Sequence, residues 1–469
     1  VSRAEDCLID SDQDTHPDHE ANTGSLSQIY IRGYYNMKKM LLSAAAFAVV
    51  AVSAVAVAPT TSEAIPAFAR QTGAACLSCH FQTFPAINAF GRAFKMGSFT
   101  DVGEQALVED DNLSIPSVLN ATVVIRGNYT NSATTGATSV GTWSVPSETP
   151  ILIAGRIGSN SGAFVEFANG GTANTPAAGG GTVAVGNWQF INSFDMGGFK
   201  IGGGMQNSTF GGSSVMEVSN VFGQHSGKLA GTNLSAIQAA GFAGATISAG
   251  LWAGNEMGNL QFALVAPSAA VGTNVGLKFA RLVRGVLTTE LGGFDTLIGF
   301  GLVNGTAGRP ATVPVGGVAG VGPVPMDLQF IDVQAQGEIG DMSLGIYGDF
   351  ANAKGKTSTD PLAAITTNFY GGAGAGGKFD AWSLRAELKP LHNMGFGIGV
   401  ANRKLSTGVA GAIATKVATT QVAAFYEIYQ NFEINLIYNS AKTSGGGTVA
   451  APAVGTTTNT TTIEFEALM

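Results

Sequence analysis

Trp382, Leu384, Ala386 and Leu388 alternate with Ser383, Arg385, Glu387 and Lys389. A period of two places the first set on one face of a strand and the second on the other. The same dyad recurs where Met342, Leu344, Ile346 and Phe350 alternate with Ser343, Tyr347 and Asp349, and where Phe432, Ile434, Leu436 and Tyr438 alternate with Glu433, Asn435 and Asn439. It returns at the carboxy-terminal end, with Ile463, Phe465 and Ala467 set against Thr462, Glu464 and Glu466. A soluble sheet also alternates, so composition has to decide which kind of sheet this is. Only 12% of residues are charged, 65 of 469 are glycine and mean hydropathy is +0.22, too little charge to coat a soluble surface of this size. Beyond the residue 50s no run of about 18 apolar residues exists, which excludes helical membrane spans. The remaining membrane-compatible fold is the closed antiparallel β-barrel, apolar phase to lipid and polar phase to a wet lumen.

Further strands are expected at 119–129, 150–157, 163–169, 185–194, 199–205, 245–254, 259–266, 274–282, 294–303, 328–338, 372–379, 395–403 and 421–430. With the four above they number about 17, and an even count is expected of a bacterial barrel, so the expectation is about 16 strands. Connections fall into two sizes. Gly340-Asp341 and Gln430-Asn431 are tight turns, whereas 132–147, 170–184, 206–243, 304–325, 352–370, 404–418 and 441–458 are long and rich in Gly, Ala, Thr and Ser. Short turns on one rim and long loops on the other suit an outer-membrane barrel spanning 119–469, ending on Met469 in place of the usual aromatic.

Ahead of the barrel the chain changes character twice. Residues 1–36 are acidic and poor in apolar side chains; they read as an upstream extension of the translated sequence. Residues 37–64 have the form of a secretory signal, with Lys38 and Lys39, an apolar core from Leu41 to Ala58, and small residues at Ser62-Glu63-Ala64 that predict cleavage after Ala64. Without both segments the net charge of −8 is roughly halved, and nucleic acid is excluded as a partner.

Residues 65–118 hold Cys76-Leu77-Ser78-Cys79-His80, two of the three cysteines of the chain with a histidine directly after. This spacing predicts a covalent haem c, Cys76 and Cys79 forming the thioethers and His80 ligating the iron. A disulfide or half a zinc site explains the pentapeptide less well, because no second Cys/His pair stands at metal spacing. Phe68, Phe81, Phe84, Phe90, Phe94 and Phe99 offer aromatic cover for a porphyrin. Arg70, Arg92 and Lys95 are candidate partners for its two propionates. A helix is expected from Ala86 to Lys95, opened by Pro85, with Ile87, Phe90 and Phe94 on one face and Asn88, Arg92 and Lys95 on the other. Met96 is the nearest candidate for a sixth iron ligand, although the helical phase turns it to the polar side; His225, His392, Met394 and an open site are the alternatives. About 50 residues cannot cover both faces of a haem, so the barrel is the expected cover.

Phe68-Ala69-Arg70-Gln71-Thr72-Gly73, the haem pentapeptide, Pro85, Gly91-Arg92 and Phe94-Lys95 together resemble the fused monohaem cytochrome–porins of the outer membrane, known from iron-oxidising bacteria. The motif match covers about 35 residues, and the plan of signal, mini-cytochrome and barrel covers the rest. Gly97-Ser98-Phe99 departs from it where a Gly-Tyr is expected. The resemblance implies a haem segment plugging or lining the barrel, ferrous iron oxidation outside the cell, and a periplasmic c-type cytochrome as electron acceptor. Asp332, Glu338, Asp349, Glu387, Glu433, Glu464 and Glu466 lie on the polar phase of their strands, and an acidic lumen attracts cations. No nucleophilic or paired-carboxylate arrangement stands out, and outer-sphere electron transfer needs none. The competing readings are a diffusion porin with a haem-bearing plug, and a soluble periplasmic cytochrome fused to an adhesive β-rich domain.

Overall fold

The computed structural model describes residues 66–82, 86–103, 105–111, 113–169, 183–207, 235–242, 246–267, 278–308, 324–357, 368–371 and 376–469. The expected extension, the signal, Phe84, Pro85 and His225 lie outside them. Three short helices come first: α1 (Pro66–Thr72), α2 (Cys76–Cys79) and α3 (Ala89–Met96). A hairpin of β1 (Leu107–Asp110) and β2 (Leu113–Pro116) follows.

The barrel begins with β3 (Ala121–Thr134), β4 (Val140–Glu148), β5 (Ile151–Gly158), β6 (Ser161–Asn169), β7 (Val183–Met196) and β8 (Phe199–Asn207). After α4 (Ala236–Ala239) it continues through β9 (Thr246–Asn255), β10 (Gly258–Pro267), β11 (Ala280–Leu291) and β12 (Phe294–Asn304). A two-residue pair, β13 (Thr306–Ala307) with β14 (Val324–Pro325), sits in the next connection. Then come β15 (Leu328–Ile339), β16 (Met342–Ala353), β17 (Lys378–Leu391), β18 (Met394–Ser406), β19 (Thr415–Tyr429), β20 (Phe432–Ser444) and β21 (Thr456–Leu468). Neighbouring wall strands pair antiparallel, with β12 followed by β15, and β21 returns to β3 from Thr458↔Thr134 to Leu468↔Val124. The terminal Met469 exchanges two backbone hydrogen bonds with Val123, so the closing seam runs to the last residue.

Strands β4 and β5 share one place in the wall, because β3 pairs with β5 at Ala121–Val123 and with β4 from Arg126 onward. Pro150, which has no N–H for the ladder, sits at the break between them. The barrel therefore has 16 strands, the expected number, although its parts differ from expectation in three places. The strands expected at 372–379 and 382–389 are the single β17. The one expected at 274–282 is shifted to Ala280–Leu291, where Arg281 on the outward phase and Leu282 and Val286 on the inward phase blur the dyad. Strand β4 falls inside the expected loop 132–147, hidden by its Gly, Thr, Ser and Pro content.

The outward phase is an apolar band that includes Leu260, Phe262, Ile298, Phe300, Ile346, Phe350, Trp382, Leu384, Phe396, Ile398, Leu436 and Ile463. The inward phase is polar and buried, with Gln261, Arg284, Asp332, Gln334, Gln336, Arg385, Glu387, Gln421 and Asn435 among its side chains. A closed sheet with lipid-facing and water-facing phases is an outer-membrane barrel, and the soluble adhesive domain is ruled out by that closure. Two-residue turns at 159–160, 197–198, 256–257, 292–293, 340–341, 392–393 and 430–431 form one rim, the periplasmic one. The long connections stand at the other.

Candidate haem segment and lumen

The helices and the hairpin that precede the barrel lie across its short-turn mouth, tied to the inner wall on both sides. On one side, α1 donates from the Ala67 N–H to Thr122 Oγ1 at 2.9 Å, and the Arg70 guanidinium reaches the Ala121 carbonyl. Gln71 is wholly buried and uses its whole amide. Its Nε2 donates to the Phe99 and Asp101 carbonyls at 2.6 and 2.8 Å, and its Oε1 accepts from the Arg156 backbone N–H at 2.8 Å. The wall makes room for these contacts with glycine: a Cβ on Gly162 of β6 would lie 1.9 Å from the Ser98 carbonyl. Ser98 also donates to Ser193 of β7 at 2.8 Å.

On the other side the anchor is Gln82, two residues past His80. Its Nε2 donates to the carbonyls of Ser343 at 2.7 Å and Glu387 at 3.0 Å, and its own carbonyl accepts from Lys389 Nζ at 2.8 Å. The same Nζ donates to Glu427 Oε2 at 2.7 Å. Gln334 and Gln336 of β15 both donate to the Ile87 carbonyl, and Arg92 pairs with Asp295 of β12. Gln82, Ser98 and Phe99 are the non-glycine residues with left-handed backbone among those described, and all three belong to this segment. Such backbone persists where surrounding contacts fix it, as they do here.

Cys76 and Cys79 lie on the single turn α2, with His80 directly after, and all three are half-buried. Helix α3 backs this turn. Asn88 accepts the Gly91 N–H as its N-cap at 2.9 Å, while its Nδ2 donates to the Ser78 carbonyl at 3.0 Å and its backbone N–H to the Cys79 carbonyl at 2.9 Å. Gly91 lets the two backbones meet, since a Cβ there would fall 2.2 Å from the Cys79 carbonyl. Burial first, and then the charge of Asp101, push the Cys79 thiol above its ordinary pKa. Two thiols one helical turn apart, an adjacent imidazole and exposed Leu77 and Ser78 between them fit a covalently held haem by donor set and by access.

The surroundings differ from the expected helix and its faces. Helix α3 starts at Ala89, because Asn88 caps it. Phe90 is 51% exposed and Lys95 is buried, both against the expected faces, while Phe94 is buried in keeping with them. Phe68, Phe94 and Phe99 pack on one another at 5.0–5.6 Å between ring centroids, and this cluster joins α1 and α3 to the wall. Met96 is buried as well. At about 100° per residue it stands about 140° around α3 from Gly91, the position that touches Cys79. With Ala89, Arg92 and Ala93 it lines a cleft against Asn255, Glu256, Asn259, Val286, Thr288 and Leu297 of the wall. His392 is exposed in the turn between β17 and β18, and Met394 is half-buried just after it, both at the short-turn rim.

Some lumen carboxylates of the inward phase are matched by bases. Arg284 pairs with Asp332 at 2.7 Å with both side chains wholly buried, and Arg126 pairs with Glu466 at 2.8 Å and Glu148 at 2.9 Å. Arg385 lies 3.7 Å from Glu387. Glu338 is exposed at the rim beside its turn. Of the seven expected lumen carboxylates, Asp332, Glu387 and Glu466 are thus ion-paired, Asp349 accepts from backbone N–H groups and Ser383, and Glu433 and Glu464 are buried on the inward phase. Among the described residues no three His, Cys, Asp or Glu side chains gather to hold a metal ion. From the long-loop end, α4 enters the lumen. Its Ala236 and Ile237 N–H groups donate to Asp349 at 3.1 and 2.9 Å, and Phe242 packs on Phe330 and Tyr370.

The fold and its outward band define the class, an outer-membrane barrel of the porin type. Comparison with solved structures finds the outer-membrane channel DcaP of Acinetobacter baumannii, at 11% identity over 75% of this chain and 97% of that one, with a TM-score of 0.48. It also finds OmpT of Vibrio cholerae (11% identity, 77% and 99% covered, TM-score 0.43) and OccK1 of Pseudomonas aeruginosa (10%, 74% and 98%, 0.39). No protein-family model matches this sequence, and no curated protein matches it.

Proposed function

We propose that this chain carries single electrons across the outer membrane, from an extracellular donor, with ferrous iron the first choice, to a periplasmic c-type cytochrome. The cofactor is one haem c, attached at Cys76 and Cys79 and ligated by His80. The observation that carries the reading is the tethering of this one turn inside a barrel mouth, by Gln82, Lys389, Gln334 and Gln336 on one side and Gln71 and Ser98 on the other. A haem bound there supplies one-electron redox chemistry. The chain's part is to hold the turn fixed, to cover it with barrel wall, and to keep its backbone from solvent through α3. Each Fe(II) gives up one electron and leaves as Fe(III), and the acceptor takes that electron. Ion pairing of Asp332, Glu387 and Glu466 reduces, without removing, the attraction of the lumen for cations.

Stopped-flow mixing of the purified holoprotein with Fe(II) tests the reading. Reduction of a covalently bound haem is expected. A purified protein without covalent haem, or a haem that stays oxidised in excess Fe(II) at a pH where oxidation is favourable, overturns it in favour of a diffusion barrel with a plug.

A further inference from the structure

Three outward-facing lysines stand on three adjacent strands near the long-loop rim: Lys404 on β18, Lys416 on β19 and Lys442 on β20. Their phase follows from uninterrupted register down to the apolar band, since Lys404 shares a face with Phe396 and Ile398, Lys416 with Val422, and Lys442 with Leu436 and Tyr438. Lys404 and Lys416 are directly opposed across β18 and β19, and Lys442 pairs with Ala418, one outward step from Lys416. Like charges so placed repel, and a fold keeps such a pair at a cost unless an anion sits between them.

Among the described residues, neither loop above the patch supplies that anion. Residues 405–415 and 445–463, which include both loops above the patch, contain no acidic side chain. Among the described residues of the adjoining strand, the outward carboxylate is Asp380, opposite Lys404, and it is engaged by Asn352 and by Lys378 at 3.7 Å. The height is informative too. Trp382 pairs with Asn402, so Lys404 is two residues, about 7 Å, further toward the long-loop rim, and Lys442 is four residues, about 13 Å, beyond Tyr438. In register, Lys442 is level with Trp382, and Lys404 and Lys416 stand one outward step beyond it, where the lipid headgroups of the outer leaflet begin.

We infer that Lys404, Lys416 and Lys442 form a binding surface for a phosphorylated lipid headgroup of the outer leaflet, held against β18–β20. Two opposed ammonium groups and a third one step away offer a short row of point charges, which suits phosphate groups on one lipid. The inference is independent of the haem.

The test is native mass spectrometry of the full-length holoprotein in mild detergent, titrated with diphosphorylated lipid A and, separately, with phosphatidylethanolamine. The wild-type barrel is expected to retain lipid A and release phosphatidylethanolamine. Lys404→Gln/Lys416→Gln/Lys442→Gln is expected to weaken lipid A retention about 100-fold. Arg281→Gln, which removes an outward basic group on β11, is expected to leave it unchanged. Equal retention of the two lipids, full retention by the triple variant, or an equal loss in Arg281→Gln overturns the proposal. If the triple variant does not reach a heat-modifiable barrel, Lys416→Gln decides alone, with a loss of about fivefold expected and no loss counting against the site.

Discussion

At the scale of single residues, the pentapeptide was plain in the sequence while its support was not. Two cysteines, one spacing and one histidine predict a chemistry regardless of fold. Gly91 carried a readable signal as well, because a glycine inside an otherwise good helix costs stability unless another backbone must approach it. That backbone is Cys79's. Gln71 and Gln82 gave no signal, since a side-chain amide that bonds distant carbonyls follows no periodicity. The environment of Cys79 leads to a prediction. Burial and Asp101 both favour the neutral thiol, so in haem-free protein the thiolate forms only above the ordinary thiol range. Alkylation of Cys79, followed by mass spectrometry across a pH series, should show its midpoint above that of the unfolded chain. Asp101→Asn, which removes the smaller cause, should move the midpoint partway down. A midpoint at or below the unfolded value would show that the thiol is neither buried nor beside that carboxylate.

At the scale of elements, strands with a clean dyad were legible in place, as β16, β20 and β21 show, although β20 ends five residues later and β21 begins six residues earlier than the alternation marked. Those with small or mixed faces, β4 and β11, were not, because their lumen phase is partly apolar or their lipid phase partly polar. The inward direction of Lys389 was readable from the phase of β17. Its partner was not, because Glu427 is 38 residues further along and reaches it across the lumen face of the wall. This pair carries the anchor of the His80 turn. Lys389→Met leaves Glu427 buried without its base and removes a donor from Gln82. A dry pair broken in this way loses about 3–5 kcal/mol, and lumen water reduces that figure. The expected outcome is a barrel that still migrates as folded but whose haem segment is cut by protease many times faster. Adding Glu427→Gln should recover part of the loss, because the stranded charge goes with it. Equal protease resistance in wild type and Lys389→Met would remove Lys389 from the anchor.

At the scale of the whole molecule, closure and the placing of short and long connections followed from alternation and composition, which are properties of every strand at once, whereas the strand number needed the even-count rule as well. The filling of the lumen did not, because it depends on where a few polar contacts of the segment and of α4 happen to meet the wall. Those contacts place two obstructions in one lumen, the amino-terminal helical segment at the periplasmic mouth and α4 with Phe242 and Tyr370 toward the opposite end. Obstructions in series add their resistances, so relieving one leaves the other limiting. In planar bilayers the holoprotein is therefore expected to conduct far less than an unobstructed barrel of 16 strands. Replacing residues 208–245 by a tight turn, which removes α4 and Phe242, should raise conductance only modestly while the haem segment stays in place. Lys389→Met combined with that replacement should raise it further, because the lower obstruction is then loosened on its β17 side. Conductance of an open barrel in the unaltered protein would show that ions have a path past both, and would favour diffusion over electron transfer as the use of this lumen.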